Sequence, residues 1–562
     1  MNILAITNHF ESSVCLLNNG KLFAASEERF SRKKNQDGIP YLAIKWALSE
    51  SKIKLEECHK IIYCSIGSVY PSGIQEDQIL SDIINSRTNY KKKIILHRAL
   101  SEAVYNFRAI ESFKNWAENN KISDNKIVFI DHHEAHAKSV VNFYGLKDAT
   151  IFTCDGKGGF TSSAVWSYKK NKLLQQSINS SHNSLGYLFG NFTISLGYKA
   201  ERHEGKLTGL AAHTKAPTNY NELNPFFVEN GKIKSKDFKG IYFPFFNRYK
   251  NLRWDMDKFT SILKKWTPKE TAATAQKILE DTLIKWISQN ITKEVKNICL
   301  SGGVFANVRM NQKIREKFKN QIIYVNPLMS DLGLVLGGIN INLKKLYLNK
   351  GLYLGPNFDK SNKITKFKKK NYKYIEIPNI KIAVKKSIEF FKKKSPIGVF
   401  HGAMEFGPRA LCHRSIIYPA TDKTCNKWLN ERLNRSEFMP FAPVILDIHA
   451  KKYFKDYDEN QITAEFMTIT YDCKDEFIKK APAAIHVDGT ARPQILKKNK
   501  DPWFYNFLYN YIKTTGEVCL LNTSFNNHEE PIVCSPSDAL ASLAIKNVDA
   551  ILFATKFLIV RK

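Results

Sequence analysis

The sequence predicts a mixed α/β (α+β) protein of two domains, the first of them internally duplicated. Three observations lead there. The chain has 562 residues, more than a single hydrophobic core usually organises. Strand–turn–strand units recur in two successive segments, the pattern of an internal repeat. A strand, a Gly-Gly turn and a helix then follow at 297–318, and alternation of that kind builds α/β layers.

The elements follow in order. Residues 2–7 read as a buried strand, 13–17 as a second and 21–26 as a third. Asn19-Gly20 is a strong hairpin signal between the last two. The polar loop at 8–13 carries His9, and Glu27-Glu28-Arg29 closes the unit. The strand-like run 126–130 leads into Asp131-His132-His133-Glu134-Ala135-His136, and 136–144 reads as helix. The second unit has a strand at 151–154, a glycine-rich turn Asp155-Gly-Lys-Gly-Gly159 and a strand at 162–168. Asn171 then turns the chain into 172–175. Such turns expose N–H groups that can cradle phosphate. Arg202-His-Glu-Gly-Lys206 packs four ionisable residue types into five positions, so it belongs at a surface or in a polar site. A helix is expected near 270–290, a strand at 297–300, a tight turn at Ser301-Gly302-Gly303 and a helix at 304–318. Strand, Gly-Gly and helix suit a nucleotide lying against backbone and helix N-terminus. Asn326-Pro-Leu-Met-Ser330-Asp331 leads into another helix, with Ser330 as its N-cap.

The region 340–394 lacks catalytic clusters and carries lysine runs at 368–370 and 392–394, the mark of a solvated face. A boundary near Gly355 divides 1–355 from 356–562. In the second part a strand at 397–400 leads to Glu405-Phe-Gly-Pro-Arg409-Ala-Leu-Cys-His413-Arg414-Ser415. Arg432 and Arg435 come next, ahead of Pro440-Phe-Ala-Pro443. Asp488-Gly-Thr-Ala-Arg492 and Leu521-Asn522-Thr523-Ser524-Phe525-Asn526 complete the series. Arginine grips phosphate or carboxylate bidentately, while Ser, Thr and Asn donate to the remaining oxygens. Arginines set beside turns and hydroxyls favour a small phosphorylated ligand. A nucleic-acid stripe would place them along one helix, interleaved with aromatics.

Composition narrows the classes. With 43% hydrophobic residues the chain buries sizeable cores. A net charge of +32 suggests a polyanion partner, but much of it is lysine scattered through an Asn/Ile/Lys-rich background, so nucleic acid is not the expected partner. The ten cysteines include no Cys-x-x-Cys pair, which excludes a zinc knuckle and a disulfide framework and fits reduced thiols in a cytoplasm. Met1-Asn-Ile-Leu-Ala-Ile-Thr7 lacks a basic leader region, and no apolar run is long enough to span a membrane. A cytoplasmic protein without membrane insertion is therefore expected.

The chemistry centres on 131–136. Three of the fourteen histidines fall within five residues there. His132 and His136 stand at i and i+4, which on a helix puts both imidazoles on one face. Neutral imidazole binds zinc, iron, cobalt or nickel, and two on one face make half a site. Asp155 and Asp331 are the candidates to complete it.

Together these motifs resemble the O-carbamoyltransferases of the nodulation and cephamycin type, the NodU/CmcH family. The resemblance covers nearly the whole chain. It rests on Asn8-His9 with Glu27-Glu28-Arg29, Asp131-His-His-x-x-His136, Asp155-Gly156, His203-Glu-Gly-Lys206 and Ser301-Gly-Gly303. In the second part it rests on Phe406-Gly-Pro-Arg409, Pro440-Phe-Ala-Pro443, Thr490-Ala-Arg492 and Leu521-Asn-Thr-Ser-Phe-Asn526. It implies an actin/Hsp70-like ATPase (ASKHA) fold with duplicated subdomains in 1–355 and a YrdC-like domain in 356–562. It implies that carbamoyl phosphate and ATP give carbamoyl-adenylate, and that the carbamoyl group then passes to a hydroxyl of a sugar or other small molecule, releasing AMP. By resemblance the metal ligands are His132, His136 and Asp331, and the metal is Fe(II). His9 matches a base for the acceptor hydroxyl, and Arg409, Arg492 and Ser524 match the adenylate-forming site. Gly302, Gly303, Asp155, Lys206, Arg414, Arg435, Asn522 and Asn526 match nucleotide- and phosphate-binding positions, and a homodimer is compatible with this reading.

One departure stands out. Many members carry Lys-x-Arg-Glu before Arg-Pro-Phe-Ala-Pro, whereas this chain has Asn434-Arg435-Ser436-Glu437-Phe438-Met439-Pro440. The lysine is missing, Met439 replaces an arginine, and Arg435 supplies positive charge from a shifted position. Two other readings share these features: a tRNA threonylcarbamoyladenosine-type modification enzyme joining the same folds, and a non-enzymatic ATP-dependent binding module. Fold alone does not choose among them. The arginine- and hydroxyl-rich second part favours an enzyme, and the lack of a basic–aromatic stripe speaks against tRNA.

Overall fold

In a computed structural model the chain is described at residues 1–65, 69–71, 73–236, 263–339, 351–359, 371–435 and 438–562. The lysine run at 368–370 and Ser436 and Glu437 lie outside the described residues. Strands and helices alternate along the chain, giving the expected mixed α/β class. They gather into two compact units, one holding residues 1–6, 10–59 and 342–562, the other 7–9 and 60–341. The units interleave in sequence, whereas a boundary near Gly355 divides the chain once.

The first unit opens with β1 (Asn2–Thr7, of which Thr7 belongs to the second unit), β2 (Ser13–Asn18) and β3 (Lys21–Ser26). β1 lies beside β2, and β2 pairs antiparallel with β3 from Ser13↔Ser26 to Asn18↔Lys21. Asn19 and Gly20 both have positive φ, 46° and 78°, as a two-residue hairpin turn of the primed type requires. The unbroken burial of Ile3 to Ile6 marks a strand covered on both faces.

In the second unit β4 (Lys60–Ser65) and β5 (Ile127–Asp131) run parallel. β5 delivers the chain to the helix His132–Tyr144. That helix starts earlier than its apolar pattern suggests because Asp131 caps it, accepting the His133 and Glu134 N–H groups at 2.9 and 3.2 Å. Gly145, at φ 61°, ends it. β6 (Asp148–Gly158), β7 (Thr161–Lys169) and β8 (Lys172–Ser180) form an antiparallel meander, and β9 (Phe226–Glu229) and β10 (Lys232–Ser235) a separate hairpin. β11 (Asn297–Ser301) pairs parallel with β6 and β12 (Ile322–Val325) with β11, giving the sheet order β12-β11-β6-β7-β8. Three strands in sequence followed by a parallel pair thus occur twice, as β1–β3 with β4–β5 and as β6–β8 with β11–β12.

Several local expectations change. The strand β6 continues through Asp155 to Gly158 with a bulge after Cys154, so the reversal falls at Gly159-Phe160 and no phosphate-cradling turn forms at 155–159. The helix expected at 304–318 is interrupted. A 3-10 turn Gly303–Ala306 precedes the helix Val308–Lys317, and the Asn307 side chain accepts the Met310 N–H at 3.0 Å. Ser330 makes no side-chain cap, and the 3-10 turn Asp331–Gly333 leads into a short helix Leu334–Gly338. The helix expected near 270–290 runs Pro268–Asn290 behind a capping box of Thr267 and Glu270. It buries Trp286 against Phe152 of β6, with ring centroids 5.1 Å apart.

The rest of the first unit carries β13 (Tyr353–Asn357), β14 (Tyr372–Glu376), β15 (Ile397–Phe400), β16 (Ala403–Glu405), β17 (Arg414–Pro419) and β18 (Ala442–Leu446). It ends with β19 (Tyr471–Asp472), β20 (Thr490–Ala491), β21 (Gln494–Leu496), β22 (Leu520–Ser524), β23 (Ala550–Phe553) and β24 (Phe557–Arg561). Eight of these form one mixed sheet, β14-β24-β23-β15-β17-β22-β18-β21. Its pairing sets Phe400 opposite Arg414 and Ser415 opposite Ser524. Helices Ile380–Phe391 and Pro502–Thr515 add Phe391 and Tyr511 to the core, with ring centroids 5.9 Å apart. All ten cysteines are unpaired and buried. Among the described residues no helix is long and apolar enough to cross a membrane.

Candidate functional site

Four side chains converge in the second unit. His132 and His136 project from one face of the helix behind β5, Asp155 from β6, and Asp331 from the turn after β12. His136 Nε2 stands 3.2 Å from Asp155 Oδ2 and 3.9 Å from Asp331 Oδ1. His132 Nε2 stands 3.6 Å from Asp155 Oδ2 and 3.7 Å from Asp331 Oδ1. The last two separations exceed a hydrogen bond, and both His132 ring nitrogens are buried with no hydrogen-bond partner. A cation bonded at about 2.1 Å to several ligands holds them about 3.0–4.2 Å apart, so the four groups fit a divalent metal.

Second partners orient this set. Asp155 Oδ1 accepts the Gly156 N–H at 2.7 Å, and Oδ2 accepts the Gly303 N–H at 3.0 Å. Ser301 Oγ lies 3.4 Å from His136 Nδ1 and accepts from Asn326 Nδ2 at 2.9 Å. Gly302 has φ 105°, and a Cβ there would meet the Cys154 carbonyl oxygen at 2.2 Å. Only glycine lets the β11 turn lie this close to β6. A Cβ on Gly158 would meet the His132 ring at 2.4 Å, so that glycine makes room for the histidines.

Burial and charge set the protonation. Burial pushes His132 down, but Asp331, Asp155 and Asp131 outweigh it and leave it raised. Burial lowers His136 despite Asp155. Asp155 would rise on burial, yet the nearby His132 and His136 rings hold it well below the usual carboxylate range. His133 stands apart. Burial, with His132 and His136 adding to it, pushes it down to about 3, while Thr153 Oγ1 and the Thr161 carbonyl, each at 3.0 Å, occupy its two nitrogens. It is a neutral core histidine.

His9 lies beside this centre, its ring centroid 6.3 Å from that of His132. Its Nδ1 is 2.9 Å from the Tyr105 hydroxyl, and its Nε2 is buried without a hydrogen-bond partner. Burial, then His132 and Lys157, hold its pKa well below 6.5, so it is neutral at pH 7. Lys157 Nζ sits 3.7 Å above the Tyr105 ring and 3.2 Å from Glu102 Oε2. Neither Tyr105 nor Glu102 was legible as a site residue, since both come from the long helix Asn89–Asn119, which carries no motif. Lys206 is buried in the helix Glu204–Ala211, 5.6 Å from the Tyr198 ring centroid.

The remaining predicted residues belong to the first unit. Arg435 donates to Thr523 Oγ1 at 2.7 Å, to the Ser524 carbonyl at 2.9 Å and Oγ at 3.2 Å, and to the Asn526 carbonyl at 2.6 Å and Oδ1 at 3.1 Å. The sequence pattern did not foresee this union of Arg435 with the Leu521–Asn526 motif. Glu405 Oε1 accepts the Leu411, His413 and Arg414 N–H groups at 2.6, 2.8 and 3.1 Å, closing the loop that carries Arg409. Arg409 and Arg492 are both half-buried. Two further residues lie inside the fold. Arg414 is fully buried and donates to the carbonyls of His401, His413, Pro356 and Gly402, so it braces the loop from inside. Asn522 is buried likewise and donates to Gln494 Oε1 at 2.6 Å and the Ala410 carbonyl at 3.2 Å.

Comparison with known proteins agrees with these motifs. Residues 2–339 match the family described as Carbamoyltransferase N-terminus, and 388–561 match Carbamoyltransferase C-terminus. The chain is 30% identical over 564 residues to Uncharacterized protein MJ1051 of Methanocaldococcus jannaschii, covering 98% of each chain. It is 27% identical over 574 residues to Nodulation protein NolNO of Sinorhizobium fredii, covering 98% of this chain and 79% of that one. Among solved structures, component A of the Acidaminococcus fermentans (R)-2-hydroxyglutaryl-CoA dehydratase matches 60% of this chain and 95% of its own, at 14% identity and a TM-score of 0.33. Full-length HypF in the phosphate- and nucleotide-bound form matches 62% of this chain and 56% of its own, at 11% identity and a TM-score of 0.31.

Proposed function

Because this chain belongs to the carbamoyltransferase family, we propose that it turns carbamoyl phosphate, water and ATP into carbamoyl-adenylate, releasing phosphate and pyrophosphate, and passes the carbamoyl group to a hydroxyl of a sugar or other small acceptor, releasing AMP. The observation that carries this reading is the convergence of His132, His136, Asp155 and Asp331 beside a neutral, buried His9. Residues 1–355 act as an actin/Hsp70-like transfer domain, supported by the repeated strand pattern. Residues 356–562 act as a YrdC-like domain that makes the adenylate.

Each step needs groups that this chain supplies. A carbamoyl carbon is a poor electrophile because nitrogen donates into its carbonyl, so adenylation provides the leaving group. Arg409 and Arg492 hold the phosphate charge of the adenylate-forming site, with Ser524 donating beside them. Arg435 keeps Thr523, Ser524 and Asn526 in place, covering the departure from the family's lysine. In the transfer domain Gly302, Gly303, Asp155 and Lys206 border the nucleotide. His132, His136 and Asp331, with Asp155 alongside, would hold the divalent metal, iron by resemblance, and when bound it polarises the carbamoyl carbonyl as a Lewis acid. With His9 Nδ1–H donating to the Tyr105 oxygen, Nε2 carries the lone pair and takes the acceptor hydroxyl's proton.

The direct experiment supplies purified protein with carbamoyl phosphate and ATP and measures AMP and pyrophosphate, with and without candidate sugars. AMP that appears only with carbamoyl phosphate, and faster with an acceptor, is the expected result. ATP turnover indifferent to carbamoyl phosphate overturns the reading.

A further inference from the structure

A second cluster of metal-ligand type lies wholly within the first unit, apart from the centre described above. His401 follows β15 and His413 precedes β17, so the pairing of these strands brings the two rings together, centroids 4.2 Å apart. Asp501 faces them from the N-cap of the helix Pro502–Thr515. All three are buried, at 5, 7 and 3% exposure. His401 Nε2 and His413 Nε2 each stand 3.4 Å from the same Asp501 oxygen, Oδ2.

The hydrogen bonding fixes what these atoms are. His413 Nδ1 lies 2.6 Å from the Ala403 carbonyl, an acceptor, so Nδ1 carries the hydrogen. In the neutral ring Nε2 then presents a lone pair to a carboxylate oxygen, two acceptors face to face. Asp501 Oδ1 is already committed to the Phe504 N–H at 3.0 Å. Asp501 Oδ2 and His401 Nε2 have no hydrogen-bond partner. A metal ion between these atoms, or a proton on either Nε2, relieves that opposition. A metal-bound histidine typically donates its other N–H to a backbone carbonyl, as His413 does. A tetrahedron with bonds of about 2.0–2.1 Å has edges of about 3.3–3.4 Å, which the two nitrogen–oxygen separations match.

The surroundings are built to hold the rings. Tyr353 stacks on His413 at 3.7 Å with an interplanar angle of 13°. A Cβ on Gly402, which has φ 60°, would meet His413 Cε1 at 2.6 Å. We propose that His401, His413 and Asp501 form a second divalent-cation site of the zinc class, and that its cation pins the two ends of the loop carrying Arg409. It is separate from the transfer centre, and its failure leaves the carbamoyl-transfer reading untouched.

The test removes the first centre and asks what remains. The full chain bearing His132→Ala and His136→Ala, stripped with chelator and titrated with Co(II) alone, should still bind one equivalent, with the visible d–d absorption of a low-coordinate nitrogen and oxygen set. Thermal unfolding should move to higher temperature on loading. Adding Asp501→Asn, which keeps an oxygen to cap the helix, should abolish both the absorption and the shift, and His413→Ala should do the same. If the folded double-alanine chain takes up no Co(II), or if uptake survives Asp501→Asn, the cluster is a proton-sharing His–Asp–His network and the proposal is overturned.

Discussion

Asp155 Oδ2 accepts the Gly303 N–H at 3.0 Å. The same oxygen faces His136 at 3.2 Å, so one carboxylate ties the Gly-Gly turn to the histidine pair.

Gly302→Ala should break that tie. The added Cβ would meet the Cys154 carbonyl at 2.2 Å in a backbone conformation that alanine resists. A cost of about 2–4 kcal/mol, on the scale of backbone strain with overpacking, lowers the melting temperature of the second unit by roughly 3–7 °C. Calorimetry reads it, and an unchanged melting point excludes the tight approach.

His136→Ala should cost the protein one equivalent of metal by elemental analysis. Asp331→Asn should weaken retention against chelator, since it replaces a charged oxygen with a neutral one. Metal content unchanged in both variants removes this centre.

Arg492→Ala and His9→Ala should fail at different steps. Losing a charged phosphate donor cuts adenylate formation by about tenfold to a hundredfold, and supplied carbamoyl-adenylate rescues it. Losing the base slows transfer by about a hundredfold or more, and supplied adenylate does not help. Equal loss of both steps in both variants argues for a single composite site.

Glu204 should shape the pH dependence of stability. Burial pushes its carboxyl up to about 7 against the main-chain hydrogen bonds that oppose the shift. Between pH 4.5 and about 7 the unfolded chain has released this proton while the folded chain keeps it. Its contribution is therefore fully present below pH 4.5 and lost as pH rises toward 7. Glu204→Gln should flatten the fall in melting temperature across that interval, and a parallel profile refutes the assignment.

What the sequence disclosed depended on distance along the chain. His132 and His136 were legible because one helical turn places them together. Asp155 was legible as an acid ending a strand and Asp331 as the acid of Ser330-Asp-Leu-Gly333, but only the parallel pairing of β6, β11 and β12 brings them to the same histidines. Gly158 reads as a turn residue, whereas its role is steric and is set by a ring from another element. Arg414 has partners that its motif does not spell out: its guanidinium donates to the carbonyls of His401 and Pro356. Glu405, which holds the Arg409 loop through three N–H groups, has no signature beyond its place in that motif.

The interleaving of the two units bears on how the protein is made. Residues 10–59 leave the ribosome early, but the rest of their unit begins at residue 342. At about 5–20 residues per second, translating the roughly 280 residues between takes on the order of 15–60 seconds. Through that interval residues 10–59 are nascent chain without the part of their unit that begins at residue 342. Residues 60–341, by contrast, have their whole unit synthesised once residue 341 is added.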